Sequence, residues 1–324
     1  MIIIYPKTNQ YYYSFYLSYI KKKFKTVKYD STPFPAFHHH CLAFIILGRY
    51  KKKIYISAGD GAGFNEMGLE WCDIYAKVNL SKKNIPTRHE HKIFPIGPSF
   101  GINHLNLKQI LTQIFSTSTK SSFKKHEFRA HLANFYRQWK YRLPLADYQP
   151  GVVDTNYIFH ASTLWKKEHN TNILRKRFMK ISKKIPGIIF EGGFAPGKEE
   201  IVKGFEDLII SKKYNHSQYL ENMKKSLVVF STPSVQGCIG WKLAEYLACG
   251  KAIISMPIPQ SLPSPLNDNE HLHFVDGSIE SFKKAIQKIK SDSSYRKRLQ
   301  VNARKYYQEH LSPEIVLERL MSAI

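Results

Sequence analysis

The sequence predicts an α/β fold of two domains, on three observations. The chain has 324 residues, enough for two cores of ordinary size, and 43% of them are hydrophobic, as in globular proteins. Two apolar runs, 227–230 and 252–254, lack the polar alternation of a sheet with one wet face. A helical pattern separates these runs, and this order is typical of parallel strands that are covered on both faces and joined by a crossover helix.

The cysteines and the apolar stretches exclude several classes of protein. Cys41, Cys72, Cys238 and Cys249 form no CxxC pair and have no histidine at zinc-finger spacing, so neither a disulfide framework nor a structural metal site is predicted. No apolar stretch approaches the roughly 20 residues that span a bilayer, and the N-terminus does not resemble a signal peptide. The protein is therefore expected to be cytosolic and reduced.

The formal net charge of +24 is concentrated in the first half of the chain. Residues 1–150 hold 23 Lys and Arg against 8 Asp and Glu. A basic region of this kind is suited to binding nucleic acid, an anionic membrane or an anionic lipid-linked acceptor. Charge alone does not distinguish among these three ligands. An AT-rich genome also raises lysine content without any binding role.

The first domain begins with a strand and an aromatic helix. Residues 1–5 predict a short buried strand, and the tyrosines and phenylalanine of 11–19, followed by lysines 21–23, predict a helix. We expect this helix to pack on the sheet as a crossover, with tyrosine hydroxyls at its rim. The alternative is an interfacial surface with aromatics at headgroup depth and lysines on phosphates.

A glycine-rich loop follows the next predicted strand, 53–58. Three histidines, 38–40, are expected to be a solvated start of the preceding apolar run, because adjacent side chains diverge and cannot share one ion. The strand ends in Gly59-Asp60-Gly61-Ala62-Gly63. Carboxyl ends of strands face the ligand crevice of an open α/β sheet, so the loop is a candidate acceptor site. A flexible glycine turn is the alternative, and the Lys-Ser/Thr of a P-loop is absent.

The rest of the first domain is predicted to contain a rigid loop followed by helices. A rigid loop, 97–101, is expected to place backbone at a cleft. The helical pattern of 105–148 is broken by a Ser/Thr-rich loop at 116–122. Its second part carries an apolar stripe surrounded by basic residues, which suits a surface helix or one that lies on a membrane. The stripe consists of Phe128, Leu132, Phe135 and Trp139.

The second domain is predicted to begin after a linker at 147–154. Its elements are a strand at 157–161, a loop at 162–167, a basic helix through 184, a strand at 188–190 followed by Glu-Gly-Gly-Phe, a Pro-rich loop at 257–269, a strand at 271–275 and a helical stretch at 279–310. The last helix, 313–324, is expected to be capped by Ser312 with proline at its first position.

The segment 226–255 is the most informative part of the chain. Its helix has one stripe that is expected to pack and another that is expected to be free to bind; the first contains Ile239, Leu243, Tyr246 and Leu247, and the second Cys238, Lys242, Glu245 and Cys249. Gly237 and Gly240 allow backbone N–H groups to approach a phosphate at the helix N-terminus, where Lys242 adds a charge. Glu245 suits a ribose diol. The alternative is that Lys242 and Glu245 form an ordinary surface ion pair.

This segment also carries a resemblance. The run Gly-Cys-x-Gly-Trp-Lys-Leu-x-Glu-Tyr-Leu-Ala-x-Gly-Lys-Ala-Ile-Ile-Ser, 237–255, resembles the donor-binding segment of bacterial GT-B glycosyltransferases, especially a Bacteroides-type family related to group 1. Residues 69–80 and 93–102 resemble two further segments of that family. The resemblance implies two Rossmann-like domains facing each other across a cleft. It assigns 1–150 to the acceptor, 151–312 to the nucleotide-sugar donor, and 313–324 to a helix that crosses back to the first domain.

The resemblance also implies roles for individual residues. Glu245 is expected to bind the ribose, the loop before its helix to face the diphosphate and sugar, and basic residues after the domain's first strand to neutralise the diphosphate. The predicted donor-binding residues are Ser234, Gln236, Gly237, Cys238, Gly240, Trp241, Lys242, Glu245, Lys166, Lys167 and Arg175. The predicted cleft-lining residues are Gly61, Gly97, Ser99 and Gly101.

One departure concerns the chemistry. Many retaining relatives have two glutamates with seven residues between them, but Gly237 stands eight positions before Glu245. Retention or inversion is therefore left open. An inverting enzyme needs a base from the first domain, for which Asp60 is the first candidate and Glu66 and His104 are weaker ones. No metal is expected, because basic side chains and helix N-termini stabilise the leaving diphosphate in such enzymes.

The implied function is a hexosyltransferase-like transfer without a cofactor. The donor is a nucleotide-diphosphate sugar, and the acceptor is a growing cell-surface polysaccharide or lipid-linked glycan, such as lipopolysaccharide O-antigen, capsule or exopolysaccharide. The protein is expected in the cytoplasm of a bacterium, at the anionic inner membrane. One alternative is a basic nucleic-acid-binding protein, but RNA-binding sheet patterns and helix-turn-helix or zinc modules are not evident, so no nucleic acid is expected. Another is a sugar-nucleotide-binding relative that has lost catalysis.

Overall fold

The computed structural model describes residues 1–37, 41–121, 123–195 and 203–323, so the three histidines at 38–40 lie outside the described residues. The chain divides into two compact units. Unit 1 comprises Met1–Asp147, Gln260–Pro263 and His310–Ile324. Unit 2 comprises Tyr148–Pro259 and Ser264–Glu309.

Strands and helices alternate along most of the chain. The strands are β1 (Ile2–Ile4), β2 (Val27–Tyr29), β3 (Leu42–Leu47), β4 (Lys51–Ser57), β5 (Ile74–Lys77), β6 (Ile93–Pro95), β7 (Tyr157–Thr163), β8 (Ile189–Ala195), β9 (Val229–Ser231), β10 (Ile253–Ser255) and β11 (His273–Phe274). The helices are α1 (Gln10–Lys23), α2 (Glu66–Trp71), α3 (Leu107–Thr119), α4 (Lys125–Tyr141), α5 (His169–Ser182), α6 (His216–Lys225), α7 (Trp241–Ala248), α8 (Ile279–Ser291), α9 (Ser293–Tyr306) and α10 (Pro313–Ser322).

The sheet of unit 1 has the order β2-β1-β3-β4-β5-β6. Its neighbours are parallel except at β3, which is antiparallel to both β1 and β4. Only residues 48–50 join β3 to β4, and a parallel connection needs a dozen or more residues, so this pair forms a hairpin. The sequence did not predict the hairpin or β2.

Helix α1 packs into unit 1, as expected for a crossover helix. The Asn9 side chain caps it by accepting from two backbone N–H groups of the first turn. Tyr13, Phe15 and Tyr16 are buried, and the Phe15 ring lies 5.0 Å from that of Phe100. Burial raises the pKa of Tyr13 and Tyr16 above the ordinary tyrosine value. These two hydroxyls are therefore inside the unit and not at its rim.

Unit 2 contains two parallel sheets, β11-β10-β9 and β7-β8. Its core includes three phenylalanines from different elements: Phe178 of α5 stacks on Phe230 of β9 at 4.9 Å, and Phe282 of α8 meets Phe230 edge-on at 4.9 Å. The parallel strands and the helices between them confirm the predicted α/β class.

The C-terminal helices differ in one respect from the prediction. The stretch 279–310 is divided at Asp292, whose carboxylate accepts from Tyr295 N at 2.8 Å and so begins α9. Helix α10 begins as predicted, with the Ser312 hydroxyl accepting from Ile315 N at 3.3 Å. Helix α10 packs against α1 within unit 1, where Glu318 accepts a hydrogen bond from Tyr19 at 2.5 Å.

Helices α3 and α4 correct two predictions. The expected Ser/Thr loop at 116–122 is helical through Thr119, and the Thr117 and Thr119 hydroxyls donate to carbonyls four residues earlier. The buried face of α4 is also rotated from the apolar stripe. Phe135 is buried, Trp139 is exposed, and the remaining inward positions are His131, Asn134 and Gln138.

Candidate functional site

The site in unit 2 is built around the loop that joins β9 to α7. Gln236 and Gly237 adopt left-handed backbone conformations, with φ of 54° and 71°. The second of these is the position where retaining relatives would carry their sugar-facing glutamate, and its conformation favours glycine. Gly240 is the N-cap of α7 and supplies no side chain to the first turn. A helix N-terminus favours an anion, and glycine at the N-cap places no side chain in front of it.

Lys242 lies in the first turn of α7 and points toward the end of β7. Its ammonium donates to the Ala161 carbonyl oxygen and stands 5.2 Å from the centroid of the Tyr219 ring. Burial, and then the charge of Arg175, lowers the pKa of Lys242 to about 7, while Glu245 opposes the shift. Lys242 is thus a poorly compensated cation that a bound anion would stabilise.

Arg175 is a second buried cation in the same cluster. It projects from α5 and donates to the Thr232 hydroxyl at 3.3 Å and to the Thr163 carbonyl oxygen at 3.2 Å. Its guanidinium carbon lies 5.2 Å from the centroid of the Trp165 ring. Burial lowers the pKa of Arg175. Both of these hydrogen bonds go to uncharged oxygens, so they do not neutralise the guanidinium.

Strand β7 contributes two polar side chains beside these cations. His160 is 3% exposed and Ser162 is 6% exposed, and they share one face of the strand. Within the described ranges, the two ring nitrogens of His160 have no hydrogen-bond partner, and the Ser162 hydroxyl has none either. Burial, and then the charges of Lys242 and Arg175, lowers the pKa of His160 well below its usual value, so the ring is neutral near pH 7. Buried polar groups of this kind call for an additional partner.

The face of α7 that was expected to be free to bind is enclosed. Cys238, Glu245 and Cys249 are all buried, because α7 lies between β9 and α9. Glu245 is 5% exposed, and its charge acts on Lys242, Tyr219 and Tyr246. It is therefore not the exposed ion-pair partner of the alternative interpretation. Its carboxylate partly compensates Lys242, while that of Glu168 acts on Arg175.

The remaining predicted donor-site residues lie at the margin of this cluster. Lys166 and Lys167 are exposed in the segment after β7, whereas Ser234 and Trp241 are half-buried. The backbone N–H of Gln236 donates to the Glu168 carboxylate at 3.0 Å. This contact fixes the loop against the N-terminal end of α5. The diphosphate role of the two lysines stays a prediction.

The glycine-rich loop of unit 1 is held by two side chains that the sequence did not single out. Lys77 is 1% exposed and donates to the Gly61 carbonyl oxygen at 3.0 Å, and Asn79 donates to the Gly59 carbonyl oxygen at 3.0 Å. Burial lowers the pKa of Lys77 to about 8. Asp60 is exposed at the tip of this tethered loop. Its role as a base stays a prediction.

The other residues assigned to the first domain have different surroundings. Gly97 (φ 69°) and Gly101 are buried where an added Cβ would lie 2.5 Å from Leu311 and 2.8 Å from Arg142, so packing within unit 1 accounts for both glycines. Ser99 is buried as well. Their place in a cleft stays a prediction.

The two weaker base candidates also differ from each other. Glu66 is exposed in the first turn of α2. For His104, burial and the charge of Lys21 lower the pKa well below the usual range, so its ring is neutral near pH 7.

Among the residues that the structure describes, His, Cys, Asp and Glu side chains form no group of three that could hold a metal ion. Arg175 and Lys242 are two cations of unit 2 that lie close together in the described structure. Sequence reasoning found both cations but missed His160 and Ser162. The sequence signal that could have revealed them was a histidine inside an otherwise apolar predicted strand.

Comparison with known proteins relates this part of the chain to one family. Residues 197–306 match the family model "Glycosyl transferases group 1". The match contains the β9–α7 loop, Lys242 and Glu245, whereas His160, Ser162 and Arg175 precede it. No curated protein matches the chain.

Several solved structures share low similarity with the chain. The C-terminal domain of a group 1 family glycosyl transferase from Francisella tularensis is 13% identical, with 51% of this chain and 95% of that chain covered and a TM-score of 0.35. A glycosyltransferase from Rickettsia africae is 13% identical (82% and 68%, TM-score 0.43). S. aureus TarM is 13% identical (83% and 55%, TM-score 0.44), so the chain spans little more than half of that protein. The family match is thus a similarity of residues 197–306 to the group 1 glycosyl transferases.

Proposed function

We propose that unit 2 binds the diphosphate and ribose of a nucleotide-activated sugar, and that the protein transfers this sugar to a glycan acceptor. The observation that carries the proposal is the cluster of Arg175 and Lys242 beside His160 and Ser162, whose side chains lack hydrogen-bond partners among the described residues. Two poorly compensated cations and neutral hydrogen-bonding groups suit a dianion with further oxygen acceptors. Glu245, in the same cluster, accepts from the two ribose hydroxyls.

The proposed reaction assigns a role to each of these groups. The diphosphate leaves with the bonding electrons of the glycosidic C–O bond, and Arg175, Lys242 and the α7 N-terminus stabilise its developing charge. These groups supply the stabilisation that a metal ion provides in other transferases. If the transfer inverts, we propose Asp60 as the base that takes the proton of the acceptor hydroxyl when its oxygen bonds to the anomeric carbon. The acceptor class that we propose is a polysaccharide or lipid-linked glycan.

A binding panel tests the proposal. We expect at least one UDP-, GDP- or ADP-sugar to stabilise the protein by roughly 2.7 kcal/mol at a hundredfold excess over its dissociation constant, and to be consumed by hydrolysis or transfer in EDTA. Binding without turnover would favour the inactive relative. Polynucleotide binding that nucleotide sugars do not displace would favour the nucleic-acid alternative and contradict the proposal.

Donor binding is expected to depend on pH through Lys242. Its pKa of about 7 in the free protein must rise when the diphosphate binds, because the anion favours the charged ammonium. Binding above pH 7 therefore takes up a proton, and affinity falls by up to about tenfold per pH unit above 7 until the pKa of the complex is reached. Both phosphates of a nucleotide sugar are esterified, so the ligand itself does not titrate there.

Calorimetry at pH 8 in two buffers of different ionisation enthalpy measures this uptake directly. We expect close to one proton per donor bound in the wild type and a clear decrease in Lys242→Met. Equal uptake by the two proteins would show that another group is responsible.

A further inference from the structure

Helix α3 exposes a row of large apolar side chains. Leu107, Leu111 and Phe115 are 55%, 67% and 72% exposed and recur every four residues, so they lie along one side of the helix. Lys108 is the single charged residue of α3. The opposite side packs into unit 1 through Ile110 and other residues. We call Leu107, Leu111 and Phe115 the α3 row; a helix side facing water would normally carry charged and polar residues.

Helix α4 exposes a second group, of aromatics with a lysine among them. Tyr136, Trp139 and Tyr141 are 48%, 38% and 51% exposed. The Lys140 ammonium donates to the Tyr136 hydroxyl at 2.6 Å and lies 5.6 Å from the centroid of the Tyr141 ring. Amphipathic aromatics interleaved with cations are suited to the headgroup region of a bilayer.

The two helices form one antiparallel pair. Near the end of α3 the Thr117 hydroxyl pairs with His131 Nε2 at 2.9 Å, while Gln138 in the second half of α4 donates to the Ile102 carbonyl oxygen, before α3 begins, at 2.9 Å. Ile110 and Phe135 pack between the helices. The α3 row therefore belongs to a packed helix pair whose α4 end carries the aromatic group.

The exposed apolar rows and the positive charge together indicate the occupant of this surface. Residues 1–150 carry 23 Lys and Arg against 8 Asp and Glu. The cations Lys125, Arg129, Arg137 and Lys140 are exposed on α4 itself. No helix in the described ranges has both the length and the apolar character to cross a bilayer. We propose that α3 lies in the plane of an anionic lipid bilayer, with the α3 row among the acyl chains and the α4 cations and aromatics at the headgroups. This inference stands independently of the proposed activity.

Vesicle sedimentation of the full chain tests the proposal. The test variant is Leu111→Ser with Phe115→Ser, and the matched control is Ile189→Ser with Val301→Ser, which removes two exposed apolar side chains of unit 2. On vesicles of phosphatidylglycerol and phosphatidylcholine we expect the test variant to bind about tenfold or more weakly. The control should change binding by less than about twofold. Wild-type binding should fall steeply with salt and be lost on pure phosphatidylcholine.

The other outcomes overturn the proposal. Equal binding by wild type and test variant, with unchanged circular dichroism and thermal midpoint, would show that the α3 row does not insert. Equal binding to neutral and anionic vesicles would show that the α4 cations do not bind anionic headgroups. A wild-type dimer that becomes a monomer in the test variant, without vesicle binding by either, would assign the row to self-association.

Discussion

Replacing both Arg175 and Lys242 by methionine should lower the affinity for a nucleotide sugar by about 3 to 6 kcal/mol, because each removed hydrogen bond to a charged group is worth about 1.5 to 3 kcal/mol. The free energy of unfolding should stay the same or rise. Burial disfavours the charged form of both side chains, the charge of Arg175 adds to this effect on Lys242, and methionine removes the cost. Calorimetric titration and urea unfolding measure the two effects.

The matched control replaces the exposed Lys166 and Lys167 by methionine. Exposed charges act through a highly polarisable solvent, so this pair should contribute less than about 1 kcal/mol per residue to donor binding. If replacing Lys166 and Lys167 costs more donor-binding free energy than replacing Arg175 and Lys242, the diphosphate binds at the segment after β7 and the proposed site is wrong.

Substituting Gly192 by alanine should reduce the free energy of unfolding by about 2 to 6 kcal/mol, from about 1 to 3 kcal/mol of backbone strain and a similar cost of overlap. Gly192 has φ of 120°, and an added Cβ would lie 2.1 Å from the carbonyl oxygen of His160 on the paired strand. To relieve the overlap β8 must move away from β7, which also displaces His160 and Ser162. Donor binding should therefore weaken together with stability.

Gly63→Ala is the control for this substitution. Nothing lies within 4 Å of a Cβ built there, and unfolding free energy should change by less than about 1 kcal/mol. Urea unfolding of both variants provides the comparison. A Gly192→Ala protein as stable as Gly63→Ala would mean that β7 and β8 are not paired as described.

The sequence predicted the elements whose signals are local. The strand–loop–helix–strand order of 226–255 and the Ser312 cap of α10 were both readable from residue types and spacing. The α4 face was predicted wrongly because polar side chains turn inward: His131 and Gln138 find partners in Thr117 and in the Ile102 carbonyl. Such pairings join distant parts of the chain, which periodicity does not report.

The candidate site was predictable in its charges but not in its burial. Glu245 lies on the polar side of α7 by sequence, yet α9 and β9 enclose that helix. His160 belongs to an apolar strand, where a histidine is usually a packed core residue, and only the structure shows that its ring nitrogens lack partners among the described residues. The tether between Lys77 and Gly61 also depends on the parallel pairing of β4 with β5.

The most direct measurement of the central claim is a double cycle between Glu245→Gln and removal of the ribose hydroxyls from the ligand. Calorimetry compares the nucleotide sugar that binds best with its 2′,3′-dideoxy analogue, on the wild type and on the variant. If Glu245 binds the ribose diol, each change alone should cost about 1.5 to 3 kcal/mol, and the second change should cost little once the first is made. Losses that simply add would contradict the assignment of Glu245 to the ribose diol.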